Sequence, residues 1–139
     1  MSRVQIYRVP VEFGDCDPAG IVWYPNFVGW MDAASRHFFV SCGVPLWRDL
    51  ARSRGLIGTP VLEQWSTYHR PASYGDALQV HTQIAEWGTK SFKTTYRLMR
   101  GEDLIAEGWD KRAFVRRHPD DPVRIQAVPV PEDIKALCS

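Results

Sequence analysis

Two aspartates carry the most chemistry in this sequence. Asp15 and Asp17 stand two apart in EFGDCDPAGIVWYPNF, residues 12–27, just ahead of a Pro18-Ala19-Gly20 turn. A helix is expected to begin near residues 24–26, since Pro25 is tolerated in a first helical turn, where its missing N–H is not needed. The first N–H groups of a helix have no partner within it, so the backbone N–H of Tyr24 is available to an oxyanion. A carboxylate facing a carbonyl polarised in this way can act as nucleophile or as general base for water. The same pattern also fits a plain turn, in which Asp15 and Asp17 satisfy local N–H groups. By pattern alone that role is the commoner one.

The remaining reactive residues form weaker constellations. Cys16 has no histidine placed beside it, and a structural thiol is the simpler reading. Cys16, Cys42 and Cys138 form neither a disulfide framework nor a C-x-x-C pair, which makes a reducing cytoplasm the expected setting. His37, His69, His81 and His118 share no metal-ligand spacing, so no metal is expected. Lys90 and the Arg116-Arg117-His118 cluster could meet phosphates; a solvated strand end is the default alternative. Trp23, Trp30, Trp47 and Trp65 could line an aromatic acyl pocket or pack the core.

These groups must be held by a small set of elements. From residue 26 to residue 42 the only acidic or basic side chains besides His37 are Asp32 and Arg36, four apart on one face. The other positions are largely apolar, and a helix that is apolar nearly all round is expected to be buried. Gly43-Val44-Pro45 ends it. Residues 46–54 suggest a short second helix. From residue 61 the pattern alternates with period two, which predicts strands at 61–70, 77–87, 90–99 and 104–117. Gly88-Thr89 reads as a hairpin turn, Gly108 as a bulge, and 123–128 as a further short strand. Residues 4–13 predict a first strand with Pro10 at an edge or bulge, and 131–133 open a small terminal helix.

The whole chain of 139 residues is read as one domain, 1–139. A net charge of +1 gives no electrostatic footprint for nucleic acid. No run approaches the ~20 apolar residues of a membrane span, and the N-terminus lacks a signal-peptide stretch. One strand, a long helix, then strands joined by short turns make an α+β fold: an antiparallel sheet curved around a central helix. Such a sheet leaves an edge and a helix face uncovered, and a second copy is expected to cover them.

EFGDCDPAGIVWYPNF, followed by WMDAASRHFF, GVPLWR, GLIGTPV, EWGTKSF and the terminal VPEDIKALCS, resembles the 4-hydroxybenzoyl-CoA thioesterase family of the hotdog-fold superfamily. The likeness runs the length of the chain. It implies a hotdog fold, a homodimer or homotetramer with active sites at the dimer interface, an acyl-CoA substrate and no cofactor. By that resemblance Asp17 is the catalytic carboxylate and the N–H of Tyr24 polarises the thioester carbonyl. Asp32 meets a para hydroxyl of the acyl ring, and Trp47, Thr59, Pro60, Val61 and Lys90 contact the acyl-CoA. Without the resemblance, Asp32 reads as a partner for Arg36 on an exposed strip. One departure stands out: Gly88-Thr89 precedes Lys90 where arginines hold nucleotide phosphates in the family, so coenzyme A would be gripped less firmly or from elsewhere, for example by Arg116 and Arg117. Two rival functions remain: a thioesterase for another aryl or short acyl-CoA, and a hotdog protein that binds acyl-CoA without turnover. A hotdog dehydratase would need a histidine that the 15–24 loop lacks.

Overall fold

The structure, a computed structural model, describes residues 3–139. β1 (Gln5–Pro10) leads through a 3₁₀ turn (Phe13–Asp15) and a loop into α1 (Pro25–Ser41), and α2 (Trp47–Arg54) follows. Then come β2 (Leu56–Gly58), β3 (Val61–Tyr68), β4 (Ala77–Trp87), β5 (Ser91–Arg100), β6 (Asp103–Ala113), β7 (Val115–His118), β8 (Asp121–Ala127) and α3 (Glu132–Cys138). Five strands form one antiparallel sheet in the order β1-β4-β5-β6-β3, and β2-β7-β8 form a second. This is the expected α+β arrangement. Among the described residues, no helix is long and apolar enough to cross a membrane.

α1 starts with Pro25 at its first position and ends where Gly43 takes φ 92°, a backbone that a side chain disfavours. Phe27, Met31, Ala34, Ser35, Phe38 and Phe39 form one buried stripe at helical spacing. Its first half packs with Val80, Tyr96, Leu98 and Ala106 of the large sheet. Its second half packs with Leu50, Phe92, Phe114 and Ile134. The expectation of burial all round is corrected: Gly29 and Val40 are exposed, and Val28 and Trp30 are half-buried. A single sheet covers a single helix face.

Two local readings also change. Gly108 is no bulge, because the β3–β6 and β5–β6 registers run unbroken through it; the shifts fall at Val61/Glu63 and Leu98/Met99. Glycine is required there for a different reason. A Cβ at Gly108 would lie 2.6 Å from the Trp65 carbonyl oxygen and 2.9 Å from the Met31 sulfur, so the missing side chain lets α1 settle onto the sheet. Residues 104–117 are not one strand. The chain turns at the buried Phe114, whose N–H donates to the Lys90 carbonyl (3.1 Å) and whose carbonyl accepts from Val128 (2.8 Å). β2, only three residues long, carried no readable period.

β1 and β3 are the sheet edges. Pro10 sits on β1, as a residue without an N–H should. β3 is exposed along most of its length, including the apolar Val61, Leu62, Trp65 and Tyr68.

Candidate active site

The Asp15–Asp17 stretch folds into a small hairpin. Cys16 and Val22 form an isolated antiparallel bridge, the Asp17 N–H donates to the Ile21 carbonyl (2.8 Å), and Gly20, at φ 81°, closes the turn onto the Asp17 carbonyl (2.9 Å). Asp15 is structural. Its carboxylate accepts from the Glu12 N–H (2.8 Å), and its carbonyl accepts from the Trp23 N–H (2.9 Å) and the Asn26 amide (2.8 Å). These contacts tie the hairpin to the start of α1. The 71–76 turn supports it from below, through Val22 N–H to the Ala72 carbonyl (2.8 Å) and Ser73 Oγ to the Gly20 carbonyl (2.9 Å).

Asp17 is half-buried. One carboxylate oxygen, Oδ1, accepts from the Ala19 N–H at 2.8 Å. This is the turn role that the pattern favoured. Oδ2 takes no hydrogen bond among the described residues, and Asp17 lines a cleft with Phe13, Cys16, Pro18, Gly20 and Tyr74. Tyr24 immediately precedes α1, and its backbone N–H has no partner among the described residues, whereas those of Asn26 and Phe27 are bonded back to Trp23 and Tyr24. Tyr24 lines a separate cleft with Phe27 and Tyr68, and its ring meets that of Tyr68.

Five of the eight residues singled out in the sequence meet in one place. Asp32, Trp47, Thr59, Pro60 and Val61 line a cleft of about 460 Å³, together with Arg36, Arg112 and the apolar wall of Ile57, Val115 and Ile125. That space is of the size that holds a small organic ligand. Arg36 reaches Asp32 Oδ2 one turn along the helix. The exposed-strip reading of Asp32 is therefore half of the arrangement. The other half is Arg112, whose Nη2 lies 3.1 Å from Asp32 Oδ1 and 2.8 Å from Asp110 Oδ2, while its Nη1 donates to the Thr59 carbonyl at 3.2 Å. Behind it the Tyr96 hydroxyl donates to the same Asp110 oxygen at 2.7 Å.

The electrostatics follow from these contacts. Burial opposes ionisation of Asp32, but the hydrogen bonds and charges of Arg36 and Arg112 outweigh it and hold the carboxyl below its usual range. Burial works against the Arg112 charge too, and its carboxylate partners more than restore it. Burial beside the Asp110 carboxylate pushes the Tyr96 phenol far up, so it remains a donor.

Arg112, Asp110 and Tyr96 escaped the sequence reading. A signal was there: Asp110 and Arg112 are two apart on a strand, hence on one face, and that face continues through Gly108 and Ala106 into the core. A charged pair on an inward face has to be partnered. Lys90 stands apart from the rest, exposed on the β4–β5 hairpin and outside the three clefts. Within one chain, Asp17, Tyr24 and Asp32 thus line three different clefts. Among the described residues, no group of three or more His, Cys, Asp and Glu is placed to hold a metal ion.

The model of the thioesterase-like superfamily matches residues 11–137. The 4-hydroxybenzoyl-CoA thioesterase of Pseudomonas sp. (strain CBS-3) is 42% identical over 144 aligned positions covering all of both chains. The 1,4-dihydroxy-2-naphthoyl-CoA hydrolase of Synechococcus elongatus is 29% identical over 76% of each chain. Among solved structures, a D17N mutant of 4-hydroxybenzoyl CoA thioesterase complexed with 4-hydroxybenzoyl CoA superposes with a TM-score of 0.94 at 40% identity, covering 99% of this chain and all of that one. BH1999, a gentisyl-coenzyme A thioesterase, superposes with a TM-score of 0.81 at 30% identity, covering 96% and 98%.

Proposed function

The chain belongs to the thioesterase-like superfamily, and from that premise we propose that it hydrolyses an aromatic acyl-CoA, 4-hydroxybenzoyl-CoA being the first-choice substrate, to the free acid and coenzyme A. The observation that carries the substrate class is the Asp32 cleft. Its walls are aromatic and aliphatic, and its polar end is a carboxylate held ionised, which accepts a hydrogen bond from a ring hydroxyl. Similarity to proteins whose substrates carry hydroxylated aromatic acyl groups points the same way.

In this reading the unbonded N–H of Tyr24 polarises the thioester carbonyl and stabilises the oxyanion. Asp17 presents its free oxygen to the carbonyl carbon. It either adds directly or takes a proton from a water that adds; collapse of the tetrahedral species breaks the C–S bond and releases the coenzyme A thiolate. In the direct route, water then cleaves the acyl–Asp17 anhydride. This chemistry needs a carboxylate, an amide N–H and water, and no cofactor. Trp47, Thr59, Pro60 and Val61 flank the acyl-CoA at the cleft, and Lys90 meets the nucleotide phosphates from its exposed hairpin.

The three clefts call for a second copy. β3 is an exposed, largely apolar edge. Antiparallel pairing of β3 with its symmetry mate about a two-fold axis sets the Val61 end of one strand beside the Tyr68 end of the other. Val61 lines the Asp32 cleft and Tyr68 lines the Tyr24 cleft. The hairpin bearing Asp17 also gives Ile21 and Val22 to the Tyr24 cleft. A homodimer, alone or doubled into a tetramer, would complete each site from two single-domain chains in the cytoplasm.

Coenzyme A release from a panel of acyl-CoAs, followed with a thiol reagent, tests the reading. Ranking by kcat/KM should put 4-hydroxybenzoyl-CoA above benzoyl-CoA and short acyl-CoAs. Binding without thiol release would make the protein a carrier instead.

A further inference from the structure

We propose that Arg112 is the positioning residue for acyl specificity: it sets the rotamer and charge state of Asp32, so that recognition of a ring hydroxyl depends on Arg112 as much as on Asp32. The inference rests on the proposed thioester hydrolysis and on Asp32 as the group that meets the ring. It concerns a residue that lines the Asp32 cleft and not the Asp17 cleft of its own chain.

Arg112 is nearly wholly buried, yet it forks to three elements. Nη2 joins Asp32 on α1 (3.1 Å) to Asp110 on β6 (2.8 Å), and Nη1 holds the Thr59 carbonyl between β2 and β3 (3.2 Å). The planar fork suits this task, since its donors lie at fixed angles. Asp110 is itself fixed by the buried Tyr96 hydroxyl at 2.7 Å, so Arg112 has a rigid anchor behind it. Arg36, the other cation on Asp32, is exposed and has no second hydrogen-bond partner among the described residues to anchor it. The wall residue Thr59 and the polar end Asp32 are therefore set relative to one another through a single side chain.

Charge has the same dependence. Asp32 faces Arg36 from its own helix and Arg112 from β6, with Asp110 behind Arg112. α2 contributes Trp47, the β2–β3 connection contributes Thr59 and Pro60, and β3, β7 and β8 contribute Val61, Val115 and Ile125, none of which titrates. Removing Arg112 leaves one exposed cation on a half-buried carboxylate. A protonated Asp32 accepts more weakly than a carboxylate and can itself donate, so its preference for a hydroxyl donor over a ring C–H falls.

The experiment compares 4-hydroxybenzoyl-CoA with benzoyl-CoA in wild type, Arg112→Met and Arg112→Lys. Both substrates share the Asp17 chemistry, so the ratio of their kcat/KM values cancels its pH dependence and, at pH values below the ionisation of the substrate phenol, reports recognition of the ring hydroxyl. The wild type should favour the hydroxylated substrate by about tenfold or more, as a site built to bond a hydroxyl does. Arg112→Met should cut the ratio several-fold, and the preference that remains should be lost on acidification at a higher pH than in the wild type. Arg112→Lys, which keeps a cation without the fork, should give an intermediate ratio; it carries the test alone if Arg112→Met does not fold. A ratio unchanged in either folded variant, with both substrates slowed equally, would make Arg112 a packing residue only and overturn the inference. Loss of coenzyme A release in the wild type would instead overturn the proposed function. Wild-type release without hydroxyl preference would remove Asp32 from recognition, and Arg112 with it.

Discussion

The ring of Tyr24 meets the ring of Tyr68 edge-on, with centroids 6.3 Å apart. This contact fixes the residue before α1 against the far end of edge strand β3. It makes the proposed oxyanion donor part of the surface on which a second copy would pair.

That arrangement predicts complementation between inactive subunits. Asp17→Asn and Asp32→Ala homodimers should each turn over 4-hydroxybenzoyl-CoA poorly. Mixed under conditions of subunit exchange, half of the sites in a heterodimer draw intact Asp17 and intact Asp32 from different chains. Activity of the mixture should exceed the sum of the two parents. If it never does, both residues of a site come from one chain.

Packing of α1 on the sheet depends on Gly108. Gly108→Ala places a Cβ within 2.6 Å of the Trp65 backbone oxygen and 2.9 Å of Met31, and a backbone atom cannot swing aside. Overpacking of this kind costs ~1–3 kcal/mol, which should appear as a clear drop in the urea midpoint. Met31→Ala in the same background relieves only the side-chain half of the clash and should recover little.

Asp76 links stability to pH. Its carboxyl is held low: the Ser73 N–H contributes most, burial opposes it, and the hydrogen bond and charge of Arg100 add to the lowering. A carboxyl whose folded-state value lies below its unfolded one stabilises above the unfolded value, and the gain is lost as pH falls through the folded one. Asp76→Asn should therefore destabilise at neutral pH, by ~1 kcal/mol for a partly exposed group. The gap from wild type should close in acid, as pH falls through the lowered folded-state value of Asp76. A gap that is constant across pH would mean packing, rather than charge, is lost. Since this turn carries Ala72 and Ser73 beneath the Asp17 hairpin, kcat should fall modestly as well.

Much of this architecture was legible because it repeats. Period-two alternation in residues 77–87 and 90–99 fixed β4 and β5 almost to the residue, and the Pro25 and Gly43 signals bounded α1. Asp32, Trp47 and Thr59–Val61 are far apart in sequence; the likeness to a known family grouped them, and the cleft then brought them together. What stayed hidden depends on tertiary contact. Arg112 lies eighty residues from Asp32, and no local period marks such a pair. The break at Phe114 is made by bonds to Lys90 and Val128, both remote in sequence. Gly108 read as a bulge because a glycine needed for close approach of a helix looks the same in sequence as one needed for a kink.

Lys90 is the exposed cation proposed for the coenzyme A nucleotide. An attraction of that kind is screened by salt. Lys90→Ala should raise KM several-fold with little change in kcat, and the KM of the wild type should climb with ionic strength more steeply than that of the variant. A large fall in kcat at constant KM would place Lys90 in the chemistry instead.

Asp17 is the centre of the account, and its removal is the most direct measurement. Asp17→Asn keeps the shape and the Ala19 contact of the side chain but leaves an amide that is neither nucleophile nor base. Coenzyme A release from 4-hydroxybenzoyl-CoA should then fall by ~10³-fold or more in kcat while substrate binding, measured directly, changes little. A variant that keeps more than about a tenth of wild-type kcat would show that Asp17 is the turn residue its pattern first suggested, and that hydrolysis is carried by another group.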